Sequence, residues 1–309
     1  MRVVSLLPAA SEIVAAIGAA DALVGVTHEC DYPLEVRSRP HVTRSALDSG
    51  TPWEIDAQVR AMATTGVPLF MLDEPRIASL QPDVILTQAL CDVCAVSETD
   101  VRAMAARFAS PPRVIALASA TFDDVLRDIH TVGEALGAGN AAADLVASIR
   151  QRLDTIHRAL KAAREPRPRV AVIEWTDPVY VAGHWTPELV RRAGGEDVVA
   201  QAGMHSVVVT ADEIAAHDPE VILVSPCGFD VHAAFEQACA LLARGEWAWA
   251  RGRTVWALNA NALLSRPGPR LADAVETMAR VFAPSLFGAP DPTLARRVFV
   301  GDTPDNGAP

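Results

Sequence analysis

Basic residues are in short supply. The chain sets 27 lysines and arginines against 38 acidic residues, a formal net charge of −11 over 309 residues. With no basic stripe to override it, that field repels a phosphate backbone and excludes nucleic acid as a partner. Long apolar runs are missing as well. Charge, glycine or proline breaks each one before the ~18 to 20 residues that cross a bilayer, so no membrane insertion is expected. The signatures of common catalysts are also absent: no Gly-x-Gly-x-x-Gly, no Walker loop, no Gly-x-Ser-x-Gly and no His-Glu-x-x-His. This favours binding over catalysis, while carboxylates and histidines at the expected ligand site leave hydrolysis or metal insertion open. Cysteine is scarce, and five copies, an odd number, fit thiols in a reducing compartment better than a disulfide framework.

What the chain does have is a hydrophobic half. At 50% hydrophobic residues it can bury a sizeable core, and its length suits about two domains. The amino-terminal MRVVSLLPAASEIVAAIG imitates a secretion signal. Pro8, Ser11 and Glu12 interrupt the run, however, and from Ile13 the apolar residues follow helical spacing to Gly18, which reads as strand, turn and helix. With Met1 as the native start the expected location is cytoplasmic; with a signal removed upstream it is periplasmic.

Short β-branched runs alternate with helical patterns: VVSLL, ALVGVTH, PDVILTQ, RVIALAS, RVAVIEW, EVILVSP and RTVWALN. Such alternation implies α/β architecture with parallel sheets covered on both faces. IASLQPDVIL at residues 77–86 is echoed by IAAHDPEVIL at 214–223, so each half carries the same helix-to-strand unit and two similar lobes follow. Between them a helical stretch runs from Phe122 to Arg164, broken at Gly137 to Gly139. Its second part carries a stripe of Leu145, Ile149, Leu153, Ile156 and Leu160 and would span roughly 38 Å at 1.5 Å per residue. The expected division is a lobe over 1–120, a linking helical segment over 121–166, a second lobe over 167–283 and a tail over 284–309, loosely ordered at its end.

Ligands of open parallel sheets bind beyond the carboxyl ends of the strands. Candidates fall there: His28, Glu29 and Cys30 after LVGVT, Cys91 and Cys94 after DVILT, Glu174 and Trp175 after VAVI, Cys227 after VILVS, and the segment from Asn259 through Asn261 to Arg266 after TVWAL. Cys91-x-x-Cys94 can direct two sulfurs at one ion, and His28 with Cys30 would complete a tetrahedral set for zinc, iron or copper. Small cysteines filling a loop core is the competing reading. His28 is equally open between a metal ligand and a hydrogen-bonded loop residue. Glu174-Trp175 and Gly183-His184-Trp185 supply an aromatic and polar rim suited to a broad planar ligand, or else cover the sheet ends. Thr186-Pro187-Glu188 should cap the next helix and Gly194-Gly195 end it. Arg266 offers a planar fork of donors at the mouth of the site, or a salt bridge to Glu174 or Asp177. Cys239, inside AAFEQACALLA, is expected in the core.

Several motifs, in order, carry a resemblance over residues 2–283: VVSLLPAASEIVAAIG, VGVTHECDYP, PDVILTQ, GHWTPELVRRAGGEDVV and SRPGPRLADAVETMA. The chain resembles the helical-backbone substrate-binding proteins that serve ABC importers of cobalamin, haem and iron chelates, and it is most similar to the cobalamin-binding branch. The resemblance implies two α/β lobes joined by the long helix, a small-molecule metal chelate such as cobalamin or another corrinoid in a cleft between the lobes, and only a modest hinge motion. It further implies that Asn261 and Arg266 hold ligand amides, and that an ABC permease docks at glutamates in Asp73-Glu74-Pro75 and Asp212-Glu213. Two departures stand out: HEC replaces the aromatic of the first cleft loop, and an extra segment, TPWEIDAQVRAMATTGVPLFML, precedes the first docking turn. They raise the alternatives of a cytoplasmic relative for storage or handover, and of a soft-metal or cluster protein or enzyme using Cys30, Cys91, Cys94 and Cys227.

Overall fold

The computed structural model describes residues 1–89 and 96–299. The chain divides into two units, Met1–Ser148 and Ile149–Pro309.

The first unit contains β1 (Val3–Ser5), α1 (Pro8–Ala16), β2 (Leu23–Val26), β3 (Thr43–Ser45), α2 (Pro52–Thr65), β4 (Phe70–Leu72), α3 (Glu74–Ser79), β5 (Val84–Gln88), α4 (Glu98–Ala105), β6 (Arg113–Leu117) and α5 (Phe122–Ala135). Four strands form a parallel sheet in the order β2-β1-β5-β6. Val3 to Ser5 and Val84 to Thr87 are buried throughout, as strands covered on both faces must be. Val4, Leu6, Ile85, Val101 and Met104 meet in one core, each such side chain contributing ~1.5 to 3 kcal/mol by leaving water. The extra segment folds as α2 plus β4, which pairs antiparallel with β3. Its helix is fixed at both ends, by a capping box between Thr51 and Glu54 and by Gly66 at φ +70°, yet it buries only Pro52 and Asp56.

Helix α6 (Gly139–Ala163) follows, and the division between the units falls within it. Its buried stripe is Ala142, Val146, Ile149, Leu153 and Ile156, steps of four, three, four and three. The expected stripe agrees at three of its five positions; Leu145 and Leu160, at its ends, are half-buried.

The second unit contains β7 (Arg169–Thr176), β8 (Val179–Val181), α7 (Thr186–Arg192), β9 (Glu196–Asp197), β10 (Val207–Val208), α8 (Ala211–Ala216), β11 (Val221–Val224), α9 (Val231–Leu242), β12 (Thr254–Leu258), α10 (Ala260–Leu263), α11 (Leu271–Phe282), α12 (Pro284–Phe287) and β13 (Ala295–Val298). The order is β10-β8-β7-β11-β12-β13, with β9 also on β7. Only β7, β9, β11 and β12 run parallel; β8, β10 and β13 join antiparallel. The sheet is therefore mixed, and within the expected tail residues 284–299 add α12 and β13, which covers the edge of β12. The rest of the expected tail, 300–309, lies outside the described residues.

The sequence echo has a shared backbone form. Gln81 and Asp218, each just before the proline, both adopt φ +44°. Arg2 N–H donates to Asp83 Oδ2 at 2.7 Å, and Arg169 N–H donates to Glu220 Oε2 at 2.9 Å. In both lobes the acidic residue after the proline thus pins the backbone at the start of the neighbouring strand, Arg2 just before β1 and Arg169 at the head of β7, which fixes the register of β5 on β1 and of β11 on β7. Among the described residues, no helix is long and apolar enough to cross a membrane.

Candidate functional site

In the second lobe β7 outruns its parallel partner. Ile173 pairs with Val224, the last residue of β11, and beyond an irregularity β7 continues as a hairpin with β8, Trp175 opposite Tyr180. Glu174 and Trp175 therefore lie on a strand extension at the carboxyl end of β7, where β8 supplies the backbone partners. The Cys227 N–H donates to the Glu174 carbonyl at 3.0 Å, tying the loop after β11 to that extension. Trp175 donates its indole N–H to the Asp177 carbonyl at 3.1 Å and packs its ring against Phe229, centroids 5.8 Å apart and tilted by 41°. The segment after β12 joins them. Asn259 caps α10 through the Ala262 N–H, the Ala260 N–H donates to the Phe229 carbonyl at 3.0 Å, and Asn261 Nδ2 donates to the Gly228 carbonyl at 2.9 Å. Arg270 Nη2 in turn donates to the Asn261 carbonyl at 3.1 Å. Glu174, Trp175, Cys227, Phe229, Asn261 and Arg270 thus form one continuous group at the carboxyl ends of β7, β11 and β12.

Two expected rim residues lie deeper. Arg266, expected at the mouth of the site, is only 9% exposed. Asp177, one of its two suggested partners, pairs with Arg244 at 3.4 Å. Trp185 is 8% exposed and donates its indole N–H to the Leu264 carbonyl at 2.9 Å, which fastens the start of α7 to the segment after β12. It also occupies the N-cap of α7; the helix begins at Thr186 itself, so Thr186 is not the cap. His184 is half-buried and meets His205, Nε2 to Nδ1 3.3 Å. Burial, and after it the charge of His205, push the His184 imidazole below the usual histidine range.

In the first lobe the turn after β2 holds His28, Glu29 and Cys30. His28 Nδ1 lies 2.7 Å from Thr43 Oγ1, and the His28 N–H donates to the same oxygen at 3.1 Å. Phe70, from the extra segment, stands 5.8 Å from the His28 ring. Burial first, and His41 second, lower the His28 pKa. Cys30 is buried with its sulfur 3.1 Å from Ser11 Oγ of α1, whereas Glu29 and Cys227 are exposed. Cys239 is buried in α9, in the second lobe's core. Cys91 and Cys94 lie outside the described residues. Among the described residues, no three His, Cys, Asp or Glu side chains gather as a metal-ligand set.

The two acidic turns are built differently. Asp73 caps α3 by accepting the Arg76 N–H at 3.1 Å, and Glu74 pairs with Arg107 at 2.6 Å. Glu213 closes a capping box with Thr210 at the start of α8.

Phe229, Phe70, Arg270 and His205 were not among the residues singled out from sequence. Phe229 had a signal, since it lies two positions after Cys227 in a strand-end loop. Phe70 and His205 had none: their contacts are made across 42 and 21 residues of chain respectively.

Residues 3–240 match the family described as periplasmic binding protein. The chain belongs to that family. Among its relatives, this periplasmic binding protein is similar to a cobalamin-binding protein of Halobacterium salinarum, 27% identical over 91% of this chain and 69% of the relative. It is also similar to a vitamin B12-binding protein of Vibrio cholerae, 24% identical over 89% of this chain and 86% of that one. The crystal structure of a periplasmic heme-binding protein from Pseudomonas aeruginosa shares the fold, with a TM-score of 0.70, 21% identity, and coverage of 97% of this chain and 95% of that one. The two-lobe α/β organisation is that of the family.

Proposed function

We propose that this periplasmic binding protein binds cobalamin or a related corrinoid, without catalysis, through the strand-end loops of its lobes. The observation that carries the reading is the joined group of Trp175, Phe229 and Asn261 in the second lobe. A corrinoid presents an apolar macrocycle edge fringed with amides, and it needs aromatic surface beside polar groups in fixed positions. Trp175 and Phe229 supply the first, while Asn261 Oδ1 and the Glu174 carboxylate supply the second. In the first lobe, His28 would supply the imidazole for the metal, and its lowered pKa leaves that ring neutral at pH 7. The similarity to the H. salinarum and V. cholerae proteins supports this ligand class over other metal chelates.

Delivery to an ABC permease fits the same reading, with the Glu74 and Glu213 carboxylates as the docking charges, one at the start of α3 and the other at the start of α8.

Thermal unfolding tests the ligand class. A compound that binds only the folded chain stabilises it by about 2.7 kcal/mol at a hundredfold excess over Kd. Hydroxocobalamin should raise the Tm by several degrees, and haemin at equal concentration should raise it less. A rise with haemin alone would reverse the assignment.

A further inference from the structure

His184 and His205 come from separate segments of the second lobe and meet with ring nitrogens 3.3 Å apart. The backbone holds them there. The His184 N–H donates to the Met204 carbonyl at 2.6 Å, the Gly203 N–H donates back to the His184 carbonyl at 2.8 Å, and the Gly183 N–H donates to Ser206 Oγ at 3.1 Å. Gly183 allows this approach, because a Cβ there would lie 2.3 Å from the Met204 carbonyl oxygen. His184 itself sits at φ +53°, a conformation uncommon outside glycine.

The spacing has chemical content. Two imidazoles on one tetrahedral zinc, each ~2.0 to 2.1 Å from the metal, have their ligating nitrogens about 3.3 Å apart. The rings cross at 90° with centroids 5.1 Å apart. A straight N–H···N bond of 3.3 Å would hold the centroids further apart, since each lies a ring radius behind its nitrogen. The bond is therefore not straight, and both separations match two imidazoles that converge on one ion.

We propose that His184 and His205 form a two-imidazole site for a zinc-class divalent cation, with the remaining coordination positions left to water or an external anionic ligand. No third His, Cys, Asp or Glu completes the set among the described residues, so binding is weaker than that of a full protein ligand set. The site does not depend on the corrinoid reading.

The test is zinc uptake by the full chain under reducing conditions, measured by competition with a chromophoric chelator, for the wild type, His205→Gln and His184→Gln. Uptake by cysteines is common to all three and cancels in the comparison. His205 is exposed, so its variant should melt as the wild type does without metal. The expected result is one equivalent lost in each variant, or bound about tenfold or more weakly, together with a cobalt(II) visible band in the wild type that is missing from His205→Gln. Equal stoichiometry and affinity in wild type and His205→Gln would overturn the proposal and leave the pair as a hydrogen bond only.

Discussion

The rings of Trp175 and Phe229 lie 5.8 Å apart across the ends of β7 and β11, held by a backbone bond from Cys227 to Glu174 between the same two segments. Neither ring is fully buried, so the pair presents apolar surface that the lobe's own core does not use. Replacing Phe229 by Ala removes one face of the pair, and aromatic contacts of this kind are worth ~0.5 to 1.5 kcal/mol beyond area burial. Phe229→Ala should weaken corrinoid binding by about tenfold while leaving the Tm within about 2 °C, as calorimetry and thermal melts would read. A loss of folding with unchanged affinity would assign the pair to structure alone.

Trp185 makes the opposite prediction. Its indole N–H satisfies the buried Leu264 carbonyl, and Trp185→Phe leaves that acceptor without its donor, at about 1 to 3 kcal/mol. The Tm should fall by several degrees while affinity per folded molecule changes little.

How far the sequence is legible depends on the size of each element. All seven β-branched runs are strands, the Pro82 and Pro219 units are repeated down to the φ of the preceding residue, and α6 carries the predicted stripe almost in place. These signals are local and periodic. β3, β4, β8, β10 and β13 have two to four residues each, too few for alternation to register, and they exist because a neighbouring strand offers its edge. This is why RVAVIEW shows that Glu174 and Trp175 close a strand run but not that β8 pairs with them beyond the end of β11. Arg266 and Trp185 read as rim residues because polar and amphipathic side chains usually face water. Their burial is decided by how the SRPGPRL turn and the start of α7 are fastened together, which no local pattern encodes.

Asp197 carries a pH signature. Burial pushes its carboxyl up to about 6, against the two backbone N–H donors, Ala200 and Val199, that favour the charged form. Oδ2 is buried and has no hydrogen-bond partner among the described residues. Because the folded pKa exceeds the unfolded one, the folded state binds more protons between about pH 4 and 6, and stability falls as pH rises through that window. Asp197→Asn keeps the oxygen that accepts both bonds and removes the buried charge. It should stabilise the chain by about 1 to 2 kcal/mol at pH 7.5 and by nothing measurable at pH 4; equal effects at both values would show that the charge is not the cause.

His28 and His184 act in the opposite sense. Their folded pKa values lie below the ordinary histidine value, so the unfolded chain binds more protons just below pH 6.5 and stability is lost as pH falls through that point. The double variant His28→Gln, His184→Gln should show a flatter decline in Tm between pH 7 and 5 than the wild type. An identical slope would mean that neither burial survives in solution.

Corrinoid binding is read out by calorimetric titration of hydroxocobalamin into the reduced, metal-stripped full chain, with the visible spectrum recorded at each addition. The expected result is saturable one-to-one binding with a Kd of about 1 µM or tighter, weakened about tenfold by Phe229→Ala. Absence of saturable heat with a chain that melts cooperatively would contradict it.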